Sequence, residues 1–294
     1  MRQADGDFVL PVDKPEGPTS HDVVAAARRA LRTRRVGHTG TLDPFASGLL
    51  LLCIGRATRI AEYLSGLSKS YEAVARLGIE TDTLDREGEP VGGEQDVSMV
   101  DEARVRAALA AFEGDQQQVP PQFSAKKVDG EAMHRRARRG EHVDLPPVPV
   151  TIHEIGLESF DAPDVRFTLR VSTGTYVRSV ARDLGRALGT GAHLTELRRT
   201  SVGDFRVSDA IPLCALDDTE RVAAAAIEPV VAVRHLAAVD VDDADAARLR
   251  HGQRLRVGPS SAGGSERVAV AHQGGLLAIG ELDAGVLRPR KVFG

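Results

Sequence analysis

The chain has 294 residues, 42% of them hydrophobic and 27% charged, with a formal net charge of −4. This composition is that of a soluble globular protein with one large domain or two, and the negative charge argues against indiscriminate nucleic-acid binding. No apolar run is long enough to span a bilayer, Cys53 and Cys214 are too few for a disulfide framework or a four-cysteine zinc site, and the polar residues 1–7 are unlike a secretory leader; a cytoplasmic location is expected.

Residues 9–12 read as a short strand leaving into the turn Asp13-Lys14-Pro15. Thr19 or Ser20 caps a helix with Asp22 in its first turn. Val23, Val24, Ala27 and Leu31 share its apolar face, and Arg28, Arg29 and Arg32 lie largely off it. Next comes Gly37-His38-Thr39-Gly40-Thr41-Leu42-Asp43-Pro44-Phe45-Ala46-Ser47-Gly48, then an apolar run over 49–54 that fits a buried strand. Glycine admits backbone conformations closed to other residues, and Pro44 disfavours the helical region for Asp43. Read alone, this is either a loop that presents one carboxylate or a glycine-rich turn with an exposed aspartate.

A strand follows at 70–77, with Tyr71, Ala73, Ala75 and Leu77 on one face, then polar turns over 81–93 and an amphipathic helix over 99–112. Residues 116–149 form a long proline-containing excursion with a short helix expected near 131–139. Within it, 120–140 hold six basic residues (Lys126, Lys127, Arg135, Arg136, Arg138 and Arg139) against Asp129 and Glu131. Such a cluster fits a phosphate grip and a solvated helix face equally. A strand at 165–171 leads through Gly174-Thr175 into a helix bearing Val177, Val180, Ala181, Leu184 and Leu188, with Gly189 placed as its C′ residue. Pro229 ends the larger unit. Beyond 231, a short helix at 243–250 and apolar runs at 268–271 and 275–279 suggest a small β-rich appendage, with 260–265 as a loop.

Several catalytic plans are missing. There is no GK[ST] ending to make a P-loop, no dinucleotide fingerprint after an early strand, no HExxH among the nine histidines, and no GxSxG elbow. Asp43 remains as the reactive acid, with His38, Tyr71, Tyr176 and Arg178 as candidates to tune it. A tyrosine can stack on a base and offer a hydroxyl, and an arginine can keep a carboxylate ionised. Each also has an ordinary structural reading, as a core tyrosine or a surface arginine.

Motif order adds to these readings. Val12-Asp13-Lys14-Pro15-Glu16-Gly17-Pro18-Thr19-Ser20-His21-Asp22, the loop at 37–48, Lys69-Ser70-Tyr71-Glu72-Ala73, Arg76-Leu77-Gly78 with Thr81-Asp82-Thr83, Pro120-Pro121-Gln122-Phe123-Ser124-Ala125-Lys126-Lys127, Gly174-Thr175-Tyr176-Val177-Arg178-Ser179 and Leu194-Thr195-Glu196-Leu197-Arg198-Arg199-Thr200 follow one another as in the TruB family. The chain resembles those bacterial tRNA pseudouridine synthases densely over 8–215 and loosely beyond. The resemblance implies an α+β pseudouridine-synthase fold: a central mixed, largely antiparallel sheet flanked by helices, and a small C-terminal PUA-like β-barrel. The implied division is a catalytic domain over 1–229, with a thumb-like basic insertion at about 116–149, and an RNA-binding domain over 230–294.

The resemblance further implies that Asp43 starts cleavage of the uridine C1′–N1 bond, by attack at C1′ or by removal of the C2′ proton. Arg178 is then its salt-bridge partner and Tyr71 stacks on the target base. Tyr176 and Leu197 line the pocket, Lys14 braces the loop, and His38 fills the space left by the flipped nucleotide. Lys126, Arg135 and Arg138 would hold phosphates of a tRNA T-arm, and the C-terminal domain would contact the acceptor stem. No metal or other cofactor, no membrane and no obligate protein partner is implied, and a monomer is expected. His134 stands where the family insertion carries a tyrosine. Two other readings are an RNA-binding factor that folds tRNA, and the same chemistry on a different RNA stem-loop.

Overall fold

Leu49 to Ile54 carry no polar side chain, and this run forms a strand buried on both faces. Leu50, Leu52 and Ile54 pack towards the first helix, and Leu49, Leu51 and Cys53 pack on the opposite face. A strand covered on both sides reads as a continuous apolar run rather than an alternation. The computed structural model describes residues 6–123, 127–128, 131–132, 145–257 and 265–293.

The strands in chain order begin with β1 (Phe8–Lys14), β2 (Val36–His38), β3 (Ser47–Ile54) and β4 (Lys69–Leu77), followed by the ribbon β5 (Glu80–Thr81) and β6 (Pro90–Val91). They continue with β7 (Gly114–Gln118), β8 (Lys127–Val128), β9 (Glu131–Ala132), β10 (Val148–Asp161), β11 (Asp164–Val171), β12 (Ala192–Val202), β13 (Phe205–Arg206) and β14 (Ile211–Pro212). The main sheet runs β14-β1-β3-β12-β4-β11-β10-β7, with β2 on β3 and β13 on β12. Among its strand pairs only β1–β14 and β3–β12 are parallel, so the sheet is mixed and largely antiparallel. The β3–β12 pairing is short, Ser47 to Arg198 and Gly48 to Arg199, and it forms a seam between the two halves of the sheet. Gly48 sits at that seam with φ +104°, where an added Cβ would lie 2.3 Å from the Arg199 carbonyl oxygen.

The helix Ser20–Ala30 starts with a reciprocal cap: Asp22 N donates to Thr19 Oγ1 (3.1 Å) and Thr19 N donates to Asp22 Oδ2 (2.9 Å). Val23, Val24 and Ala27 bury its apolar face, and Val177–Leu188 buries Val180, Ala181 and Leu184 against β12 and β4. The latter helix ends at Gly189 in the left-handed conformation (φ +77°). The helix over Glu102–Ala110 is shorter than its sequence suggests, because Asp101 accepts a hydrogen bond from Arg104 N (2.8 Å) and sets the start there.

Two long strands, β10 and β12, are not legible from periodicity. Register shifts at Ile152/Glu154 and Leu157/Ser159 in β10, and at Leu194/Glu196 and Arg199/Ser201 in β12, break the two-residue alternation by which a strand is read. Glu131–Ala132, expected to be helical, is instead extended and paired with Lys127–Val128, as one arm of a short antiparallel ribbon. The rest of that expected helix lies outside the described residues, as does nearly all of the expected loop at 260–265.

The last part of the chain builds a separate five-stranded sheet from β15 (Ala237–Asp240), β16 (Leu255–Arg256), β17 (Glu266–His272), β18 (Gly275–Asp283) and β19 (Val286–Val292), ordered β15-β17-β18-β19-β16. Leu249 of the helix Asp243–Arg250 packs with Leu255, Val268, Val270 and Leu287 in its core. Its other face continues into the main body: Ala269, Ile279 and Phe293 share one apolar cluster with Val9, Leu51, Ile60 and Leu64. Arg56 Nη1 and Arg59 Nη1 donate to the carbonyls of Phe293 and Val292, both at 2.6 Å, across that junction.

Candidate active site

The loop between β2 and β3 is fixed from three directions. Leu42, Phe45 and Ala46 are buried beneath it, so the intervening Asp43 faces outward. Ser20 Oγ donates to Leu42 O (3.1 Å) and accepts from Leu42 N (2.9 Å). The fully buried Lys14 donates through Nζ to Ala46 O (2.6 Å), Pro15 O (2.9 Å) and Pro44 O (3.3 Å). Arg199, similarly buried, donates from Nε to Leu49 O (2.7 Å) and from Nη2 to Gly40 O (3.1 Å). Buried carbonyls without partners are costly, so these charged side chains replace the backbone pairing that an irregular loop lacks.

Asp43 meets Arg178 directly. The arginine is the second residue of the helix Val177–Leu188; its Nε lies 3.0 Å from Asp43 Oδ2 and its Nη2 donates to Asp43 Oδ1 at 3.1 Å. The guanidinium side chain is 6% exposed and that of Asp43 33%, so the pair is anchored on one side and open on the other. A second carboxylate shares the cation: Arg178 Nη1 lies 3.2 Å from Asp85 Oδ2 and donates to Thr83 O (2.9 Å). Asp85 is buried, and its Oδ1 accepts from Thr83 Oγ1 (2.6 Å) and Glu87 N (3.0 Å). Burial raises the Asp43 carboxyl above its ordinary range, Arg178 is the strongest opposing influence, Asp85 raises it further, and Lys14 lowers it. Burial pushes Lys14 down to about 8, against the pull of Asp43 and Glu16.

The other residues singled out in the sequence surround this pair unequally. Tyr71 on β4 and Leu197 on β12 belong to the apolar cluster that contains Leu42, Phe45 and Ala46. Tyr176 is the N-cap residue of the Arg178 helix, two positions from the guanidinium. The His38 ring packs edge-on to His21 (5.5 Å between centroids), and burial, then His21 and Arg199, lower its pKa, so it is neutral at pH 7. Its Nδ1 accepts from Gly40 N (3.3 Å), which leaves the proton on Nε2. Lys126, Arg135, Arg138 and His134 lie outside the described residues.

Comparison with known proteins accounts for this arrangement. Residues 28–177 match the family described as TruB family pseudouridylate synthase, N-terminal domain. Residues 178–238 match the tRNA pseudouridylate synthase B C-terminal domain, and 237–293 match the C-terminal part of pseudouridine synthase II TruB. The chain belongs to the TruB family. Among its relatives, the tRNA pseudouridine synthase B of Burkholderia mallei (strain NCTC 10247) is 46% identical, over 97% of this chain and 96% of that protein. The tRNA pseudouridine synthase B of Thermobifida fusca (strain YX) is also 46% identical, over 98% of both. Among solved structures, an H/ACA RNP bound to a substrate RNA containing 2′-deoxyuridine aligns with TM-score 0.76 at 28% identity, covering 98% of this chain and 85% of that one. A Cbf5-Nop10-Gar1 complex aligns with the same TM-score at 29% identity, again over 98% and 85%. The main sheet is therefore a pseudouridine-synthase fold, and the chain is a pseudouridine synthase.

Within this TruB-family site, sequence reasoning passed over Ser20, Asp85, Gln118 and Arg199. All four stand in the family motifs or within two residues of them, yet nothing local marks which backbone or carboxylate they reach. A basic surface was also overlooked. Arg28, Arg29, Arg32, Arg34 and Arg35 are all exposed, and none pairs with an acid among the described residues; Arg28 donates to Val36 O (3.0 Å). This surface leads through β2 to His38 and the Asp43 loop. By contrast, a cavity of about 760 Å³ opens on the other face of the sheet, lined by Val74, Arg76, Arg166 and His193. Its arginines are already engaged in the Arg76–Asp164 and Arg166–Glu196 pairs, and Val74 and Arg76 alternate with the β4 residues that face the Asp43 loop.

Proposed function

We propose that the chain converts one uridine of the tRNA T-loop, position 55, to pseudouridine, with Asp43 as the group that starts the reaction. The direct ion pair between Asp43 and Arg178 carries this reading, because it supplies an ionised carboxylate in a site with one open side. The reaction is an isomerisation: the C1′–N1 bond breaks, the base turns, C1′–C5 forms, the C5 proton leaves and N1 gains one. Only the ionised Asp43 serves, whether it attacks C1′ or takes the C2′ proton.

Tyr71 presents a ring for stacking on the target base. Leu197 and Tyr176 bound the pocket, Lys14 holds the loop in shape, and His38 occupies the place of the extruded nucleotide. Phosphate contacts come from the exposed arginines at 28–35 and from Lys126, Arg135 and Arg138 of the insertion. The catalytic unit extends to about residue 229. The following unit, 230–294, takes the acceptor stem, and the protein acts as a cytoplasmic monomer.

The test is incubation with unmodified tRNA followed by mapping of pseudouridine. Modification of that single uridine, lost in Asp43→Asn, is the expected result. Full activity of Asp43→Asn, or modification elsewhere only, would overturn the assignment.

A further inference from the structure

Gln118 ends β7 and is buried. Its side-chain amide clasps the backbone of Tyr176 twice: Nε2 donates to Tyr176 O (3.1 Å), and Oε1 accepts from Tyr176 N (2.8 Å). Tyr176 is the N-cap of the Arg178 helix, and its own side chain makes no capping bond. The adjoining backbone reinforces the clasp. Val119 O accepts from Ser179 Oγ (3.0 Å) and Arg182 Nη2 (3.1 Å), and Phe123 O accepts from Arg178 Nη2 (2.9 Å). Residues 118–123 thus bond to Tyr176, Arg178, Ser179 and Arg182 along one side of the helix start.

We propose that Gln118 is a positioning residue for the isomerisation, setting the first turn of the Arg178 helix and thereby the aim of the guanidinium at Asp43. The proposal rests on the reading that Asp43 carries the chemistry. A primary amide is the side chain that matches a backbone N–H and C=O together, whereas a hydrocarbon of the same length matches neither. Without it the half-buried Tyr176 N–H loses its partner, and the backbone of the N-cap residue itself is no longer tied to β7. Helical residues advance about 1.5 Å each and turn about 100°, so fraying by a single residue displaces Arg178 by more than an ion-pair contact tolerates. Thr83 O and Asp85 still hold Nη1 from the opposite side, so the guanidinium is loosened rather than released.

A purely structural stitch between β7 and the helix would lower the amount of folded enzyme and leave the titration of the active fraction unchanged. A positioning role alters the titration itself, because Arg178 is the main group that opposes protonation of Asp43. The experiment is single-turnover pseudouridine formation by Gln118→Met across pH, normalised to folded protein, with tRNA affinity measured separately. Expected are a roughly tenfold slower reaction at pH 7, affinity within about twofold of the parent, and an acid limb displaced to higher pH by about half a unit or more. An unshifted acid limb would overturn the proposal. If Gln118→Met does not fold, Gln118→Asn, too short to reach both backbone groups, is read by the same criterion. Asp43→Asn is measured alongside: an active Asp43→Asn removes the underlying site reading, whereas an inactive one with an unshifted Gln118 profile removes the positioning role alone.

Discussion

In the proposed reaction Asp43 is subject to opposed demands, since it must be ionised to act yet sits where ionisation is disfavoured. Burial and Asp85 raise its pKa, while Arg178 and Lys14 draw it back. The active form is the deprotonated one, so the pH–rate profile should rise through an acid limb lying above the usual carboxylate range; a limb at or below pH 4, roughly where free carboxylates titrate, would contradict this. Stability depends on pH in the opposite sense. Between the unfolded and the raised folded pKa, the folded protein binds more protons, so this group's contribution declines as pH rises through that window. Asp43→Asn should therefore melt at or above the parent's temperature at pH 7 while losing activity, which calorimetry beside the rate assay checks. Tyr71 offers a separable prediction: Tyr71→Phe keeps the stacking face and RNA affinity, and Tyr71→Ala loses affinity. Equal loss in both would remove the stacking role.

Among the elements, the decisive feature is the seam where β3 meets β12. A Cβ at Gly48 would collide with the Arg199 backbone, which is not the flexible end of a side chain, and φ is in the region other residues avoid. Gly48→Ala is expected to cost on the order of 3 kcal/mol, read as a lowered denaturation midpoint, and to lower activity because Arg199 also holds Gly40 O. The first helix and β2 supply a second prediction. Double reversal, Arg34→Glu with Arg35→Glu, should weaken tRNA binding and flatten its dependence on salt, by about 0.7–0.9 in log–log slope for each phosphate no longer neutralised. An unchanged slope would place the RNA elsewhere. Elements with local signals were legible in the sequence: the Thr19–Asp22 cap, the Gly189 stop and the apolar run of β3. The bulged strands β10 and β12 were not, because a bulge erases the alternation that identifies a strand.

Across the molecule as a whole, the C-terminal sheet is joined to the main body by more than a linker. Phe293, Ile279 and Ala269 complete an apolar cluster whose other side is Val9, Leu49, Leu51 and Cys53, and Arg59 lies over the Phe293 ring at 5.1 Å. Separating the two parts would expose that shared surface, so calorimetric unfolding is expected as one cooperative transition, with Phe293→Ala lowering its midpoint. Two resolved transitions would show that the parts fold independently.

The family could be read from the amino acids alone, because motif order is written in consecutive residues, and glycine placement and the proline after the acid are what put Asp43 forward for the proposed role. Arg178 was a candidate from the residues themselves, and the resemblance implied its pairing with Asp43, which the folded chain shows. What surrounds them emerged only in the folded chain: Arg178 also reaches Asp85 across 93 positions, Arg199 reaches Leu49 across 150, and Gln118 clasps Tyr176 across 58. Such pairings leave no local periodicity or cap. They exist because folding brings a buried donor to a carbonyl or carboxylate that has no nearer partner, and only the packed chain shows which one.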